Sequence, residues 1–139
     1  MKKARPVESP ALRRKTMQAV KSKDTAPEYL VRALVHAAGY RYRLHRRDLP
    51  GCPDLVFAGR RKVIFVHGCF WHGHDCPRGA RVPKSNTAYW TTKVARNRER
   101  DARAARRLRA HGWGVLTLWE CKLRNRSTLL GRIARFLES

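Results

Sequence analysis

Val63-Ile64-Phe65-Val66-His67-Gly68-Cys69-Phe70-Trp71-His72-Gly73-His74-Asp75-Cys76 decides how this chain is read. An apolar run with strand character stops abruptly in a loop that carries three histidines, two cysteines and a Phe-Trp pair. Strand ends that open into such loops are where scaffolds display catalytic groups and metal ligands. Just upstream, Asp54 to Ala58 reads as a second strand, joined to Lys62–His67 by a tight turn at Gly59-Arg60-Arg61. The pairing this implies brings Asp54 close to Val66 and His67.

The remaining elements follow by pattern. Residues 1–20 form a basic, Pro-containing arm with a short helix over Leu12 to Val20, and residues 21–139 form one domain. Thr25-Ala-Pro-Glu28 has the form of a capping box, with proline in the first turn. Leu30, Val31, Leu34, Val35 and Ala38 then recur at helical spacing until Gly39. Tyr40 to Leu44 reads as a short strand and Leu49-Pro-Gly-Cys-Pro53 as a connector. The histidine loop runs through Pro83 to about Thr87. A long Arg- and Ala-rich helix covers Tyr89 to Ala110, Trp113 to Trp119 is an apolar strand, and a last helix spans Ser127 to Leu137. The order α, three strands, α, β, α packs best as a small mixed sheet with helices on both sides.

Composition says what the loop acts on. The 139 residues include 32 Lys and Arg against 10 acidic residues, a net charge of +22. A chain this basic attracts a polyanion, and nucleic acid is the leading candidate, because neutralising phosphates releases condensed counterions. A membrane surface would call for an amphipathic anchor or an apolar span, and neither is present. The N-terminal residues lack the apolar core of a signal peptide, so an intracellular location with reduced cysteines is expected.

Several side chains then stand out. Asp54 at a sheet mouth suits Mg²⁺ bound against a phosphate, although Pro-Asp alone is an ordinary turn pair. Cys69, His74 and Cys76 share one loop, and Cys121 follows the last strand. Three thiolates and one imidazole are a standard zinc set, although Cys69-x-x-His72 is also ligand spacing and leaves the histidine ambiguous. Cys52 reads as a buried hydrophobe. His67 and His72 can move a proton or meet a phosphate oxygen. Glu28 is first a capping-box acid, and secondly a carboxylate that could accept an N–H from one of these histidines. Phe70, Trp71 and Trp90 suit stacking on bases or wedging between them, with core packing the alternative for Trp90. Trp90, Lys93, Asn97 and Asp101 share one helical face. Trp113 and Trp119 are expected in the core, and Arg100–Arg109 on a solvated helix face.

Taken in order along almost the whole chain, these residues resemble the very-short-patch-repair (Vsr) DNA mismatch endonucleases. The matching segments are Met17, Asp24-Thr25-Ala26 with Glu28, Leu49-Pro50-Gly51 with Pro53-Asp54, and Val63 to Trp71 with His72, His74 and Cys76. They continue through Trp90, Asn97 with Glu99-Arg100-Asp101, and Gly112-Trp113 through Trp119-Glu120-Cys121. The resemblance implies a restriction-endonuclease-like fold in which Val66 and Gly68 stand near the places of the usual acid and lysine. It implies Mg²⁺ held by Asp54 and the Val66 carbonyl, where some relatives have Thr at the latter. It implies His72 as general base assisted by Glu28, and His67 at the phosphate. Cys69, His74, Cys76 and Cys121 match structural zinc ligands. Phe70, Trp71 and Trp90 match aromatics that intercalate beside the mismatch. Met17 matches a residue entering from the other groove, and Lys93 and Asn97 match residues near the mismatched bases.

The resemblance therefore implies a monomeric, DNA-associated enzyme of the bacterial cytoplasm, with other repair proteins as candidate recruitment partners. It would nick double-stranded DNA 5′ of the thymine in T·G mismatches left by 5-methylcytosine deamination. Two other classes compete. A non-catalytic zinc-stabilised DNA-binding module accounts for the charge, aromatics and cysteines, but not for Asp54, His67 and His72 meeting at a sheet mouth. A basic RNA-binding protein needs no histidine loop.

Overall fold

The computed structural model describes residues 25–77, 79–80 and 85–139. Met17, the arm over 1–20, the helix expected over Leu12–Val20, and Pro83 lie outside the described residues.

Helix α1 spans Ala26–Ala37 and starts where the capping box places it. Thr25 Oγ1 accepts from the Glu28 amide at 3.4 Å, and Glu28 Oε2 accepts from the Thr25 amide at 3.2 Å. Strand β1 is Arg43–Leu44, β2 is Leu55–Phe57 and β3 is Lys62–His67. The first two are shorter than their residue types suggest. Ala58 leaves the ladder to begin a 3₁₀ turn over Ala58–Arg60, and Arg61 closes it in the left-handed region at φ 53. Among the described residues Tyr40 likewise pairs with no strand, and its hydroxyl donates to Glu138 Oε2 at 2.9 Å.

Helix α2 covers Thr87–Ala110, β4 is Gly114–Trp119 and α3 is Arg126–Glu138. The sheet order is β1-β2-β3-β4, antiparallel except for β3 and β4, which run parallel. The α2 crossover makes that parallel pair possible, since parallel neighbours need a long connection. Asn125 Oδ1 caps α3 by accepting from the Thr128 amide at 3.0 Å.

Two apolar layers sandwich the sheet. Leu55, Phe57, Ile64, Val66 and Leu118 pack on one face with Val31 and Val35 of α1 and Leu129, Ile133 and Leu137 of α3. Val56, Val63 and Phe65 point to the other face, towards Leu108 of α2. Strand β3 is thus buried on both sides, which is why its sequence is a continuous apolar run instead of an alternation. Each such side chain contributes about 1.5–3 kcal/mol on full burial. The interior strand ends at His67, opposite Trp119 of β4.

Trp113 does pack on the α2 layer. Trp119 corrects the core expectation. It is half-buried at the sheet end, stacked on His74 with ring centroids 4.3 Å apart. Among the described residues no helix is long and apolar enough to cross a membrane.

Candidate active site and cysteine cluster

Asp54 sits one residue before β2, where the ladder with β3 runs out. The Val66 amide donates to Asp54 Oδ2 at 2.6 Å. The Val66 side chain lies in the core, so this residue offers the site only its backbone. Asp54 is 8% exposed. Burial first, and Glu28 second, push its carboxyl up to about 8, against the Val66 amide and Arg32. Two buried carboxylates side by side, one of them reluctant to ionise, form a place that favours a cation. The donor set is all oxygen, as a hard divalent metal requires.

Arg32 and His45 complete this cluster. Arg32 Nη2 donates to Glu28 Oε2 at 3.3 Å and to His45 Nε2 at 3.0 Å, and His45 Nδ1 lies 3.9 Å from Asp54 Oδ1.

The next residue of β3 faces a second cluster. His67 and His72 stack with centroids 3.8 Å apart and planes 2° from parallel. His72 Nδ1 lies 2.5 Å from Asp101 Oδ2, and His67 Nδ1 lies 3.9 Å from the same oxygen. Asp101, on α2, therefore takes the hydrogen bond that sequence reasoning offered to Glu28, which instead lies with Asp54 and Arg32. Asp101 can only accept when ionised, so the proton sits on His72 Nδ1 and Nε2 is left as the basic nitrogen. Burial and then His72 bring His67 down to about 3, despite Asp101. His67 is thus a neutral imidazole at physiological pH, not a standing cation. The three residues are close enough to suggest a shared metal. Stacking argues against it, because parallel rings aim their in-plane lone pairs along lines that never meet. Beside the stack opens a cavity of about 500 Å³, lined in part by Asp101, Arg98, Arg109 and Thr117.

The cysteine cluster lies just beyond. Ligand atoms of Cys69, His74, Cys76 and Cys121 all fall within 4.8 Å of one another. Sulfurs around a tetrahedral zinc are about 3.8 Å apart, given bonds of about 2.3 Å, so a small contraction suffices. Cys121 donates its amide to Cys69 Sγ at 3.4 Å, and the Gly79 amide donates to Cys76 Sγ at 3.4 Å. A Cβ on Gly79 would collide with the His74 carbonyl, so the loop closes only with glycine there. Burial pushes the Cys69 thiol up to about 12, while a hydrogen bond with His74 brings Cys76 down to about 6. Metal ligation requires these thiols as thiolates, and a cation bound among them would favour that form. His72 stays with Asp101 and His74 lies with the cysteines, so the geometry separates the two histidines. Cys52 is exposed, against the expectation of a buried residue.

Phe70, Trp71 and Trp90 form one half-buried aromatic knot, with centroids 5.1–5.8 Å apart. Asn97 Nδ2 donates to the Trp71 carbonyl at 2.8 Å and pins the loop to α2. Lys93 is half-buried on the same helix. That helix carries eight basic and two acidic residues. Asp101 was visible on the face shared by Trp90, Lys93 and Asn97, and Arg32 stands one turn after Glu28. His45 had no sequence signal.

A family model described as DNA mismatch endonuclease Vsr matches residues 6–78. This chain belongs to that family. It is 52% identical over 130 residues to the type II nicking enzyme V.XorIIP of Xanthomonas oryzae pv. oryzae, covering 94% of this chain and 95% of the relative. It is 44% identical over 123 residues to the DNA mismatch endonuclease Vsr of Escherichia coli K12, covering 88% and 78%. The type II nicking enzyme V.NmeAIP of Neisseria meningitidis is 40% identical over 121 residues, covering 87% and 86%. A Vsr-family chain is a DNA endonuclease, and the charge of +22 suits its substrate.

Proposed function

We propose that this Vsr-family enzyme nicks one strand of duplex DNA 5′ of the thymine in a T·G mismatch, on a restriction-endonuclease-like fold. The observation that carries the reading is the junction of two clusters at Val66 and His67. A buried carboxylate lies on one side of that strand end, and a carboxylate-oriented histidine on the other. Asp54 and the Val66 carbonyl would hold Mg²⁺, which when bound neutralises charge on the scissile phosphate. His72 accepts the proton of the attacking water at Nε2 while Asp101 keeps Nδ1 protonated. The water oxygen bonds to phosphorus and the P–O3′ bond breaks. The departing O3′ takes a proton from solvent, so the products are a 5′-phosphate and a 3′-hydroxyl, and a repair polymerase extends from the hydroxyl. His67, neutral and buried, meets the phosphate. Glu28 acts on the Asp54 side of the site.

Cys69, His74, Cys76 and Cys121 would hold a structural zinc that fixes the loop to the end of β4. Phe70, Trp71 and Trp90 wedge beside the mismatch, Lys93 and Asn97 lie near its bases, and Met17 approaches from the opposite groove. Cytosine-methylating systems generate such lesions when 5-methylcytosine deaminates. The test is a duplex carrying one T·G pair against the matched T·A duplex, with and without Mg²⁺. A single nick in the thymine strand, only with Mg²⁺ and only at T·G, is expected. Equal cleavage of the matched duplex would overturn the mismatch assignment.

Trp71→Ala probes recognition separately. Base–aromatic stacking is worth roughly 1–3 kcal/mol, so affinity for T·G duplex should fall about 5- to 150-fold. Affinity for matched DNA should change far less, because phosphate contacts dominate there. Paired titrations at one salt concentration decide. Equal losses on both duplexes, in a folded variant, would make Trp71 a support of the loop.

A further inference from the structure

A ring of polar side chains closes behind Asp54, and neither Arg32 nor His45 has a part in the chemistry above. Arg32 follows Glu28 by one turn of α1 and is only 9% exposed. Its Nη2 serves both Glu28 Oε2 and His45 Nε2. A guanidinium only donates, so His45 must accept at Nε2 and carries its proton on Nδ1. That Nδ1 is the atom 3.9 Å from Asp54 Oδ1. His45 adopts φ 49, a left-handed conformation uncommon outside glycine. The backbone after β1 thus bends so that this imidazole stands between a buried cation and a buried carboxylate.

A buried pair at i,i+4 on a helix has a plain structural reading, because it neutralises Glu28. That reading leaves the third and fourth members of the ring unexplained. We propose that Arg32 and His45 are positioning residues for phosphodiester cleavage. Arg32 orients Glu28 directly and Asp54 through His45, and it sets the fixed positive charge against which a divalent cation binds. The inference rests on the reading of Asp54 as a metal ligand. Its consequence is that charge and geometry at position 32 separate. A cation a few ångströms from the carboxylates weakens their hold on a second cation, by Coulomb repulsion through a partly buried medium. The two N–H bonds of the planar Nη2 also point at two acceptors in fixed directions, which the freely rotating ammonium of a lysine does not do.

The experiment measures nicking of T·G duplex against Mg²⁺ concentration, together with melting in the presence and absence of Mg²⁺. In Arg32→Gln the Mg²⁺ needed for half-maximal nicking should fall about 3- to 10-fold, because one opposing charge is gone. Turnover at saturating Mg²⁺ should fall about 10- to 100-fold, as misplaced groups do. Added Mg²⁺ should raise the melting temperature of this variant more than that of the parent. Arg32→Lys keeps the charge, so its Mg²⁺ dependence should stay near the parent while turnover still drops about 10-fold. His45→Gln supplies one acceptor and one donor at similar reach and should keep turnover within about 3-fold, whereas His45→Ala should lose about 10-fold.

If Arg32→Gln does not fold, Arg32→Lys and the two His45 variants decide on the same terms. Parental turnover and parental Mg²⁺ dependence in the Arg32 variants and in His45→Ala, beside an inactive Asp54→Ala, would overturn the proposal alone. An Asp54→Ala enzyme that nicks like the parent would remove the metal reading beneath it.

Discussion

Asp54→Ala is expected to lose Mg²⁺-supported nicking by about 10³-fold or more, the rate equivalent of the several kcal/mol a metal contributes to transition-state charge. Binding to mismatched duplex should survive. The aromatic knot and the basic face of α2 are separate from Asp54, and positioning contacts persist when a chemical group is removed. Gel-shift titration and a nicking time course on the same preparation make the comparison. A variant that nicks near the parental rate would move the metal away from Asp54. A variant that loses binding in parallel would make Asp54 a structural residue of the strand end.

The same residue makes a statement about stability. The Asp54 carboxyl is raised from an ordinary 3.8 to about 8 in the folded chain. Between those values the folded state holds a proton that the unfolded state has released. Stability from this group is therefore full below about pH 4 and is lost as pH rises through about 8. Asp54→Asn cannot ionise and still offers an oxygen to the Val66 amide. Without Mg²⁺ it should melt above the parent at pH 8, with the difference shrinking towards pH 4. A constant difference across that range would mean that the parent carboxylate ionises without cost.

Much of this architecture was legible because local signals agreed with the packing. The capping box at Thr25 and Glu28 starts α1 where it should, and the apolar run Val63–Val66 is the strand buried on both faces. Asp54 meeting Val66 followed from pairing two strands across one turn. What stayed hidden depends on contacts between elements far apart in sequence. His72 and Asp101 are 29 residues apart and meet only because α2 crosses over the sheet. Glu28 looked available to a histidine because nothing in the sequence shows that Arg32 and Asp54 already claim it. Trp119 sits in an apolar strand but at its last position, where the sheet ends and histidines take over from core. Cys52 looked like core by residue type, but it lies in the connector at φ 48, where the chain turns outward.

Cys121→Ala should be the most damaging substitution to stability, and Cys52→Ala close to silent. Cys52 is exposed, whereas Cys121 reaches from the end of β4 to Cys69 and His74 across about 50 residues of chain. Structural zinc contributes about 10–16 kcal/mol in small peptides that fold around it. This domain has its own core, so losing one ligand should unpin a loop and not the sheet. A fall in melting temperature of about 10 °C or more is expected, with loss of bound zinc. Equal zinc content and equal melting in the two variants would show that the ligand set is wrong. The effect on nicking should be larger than the effect on melting. Phe70, Trp71 and His72 all lie between Cys69 and His74. If those two residues share one metal with Cys121, the wedge and the base hang on the same short bridge. Releasing that bridge costs recognition and proton transfer together, even while β3 and its core stay folded.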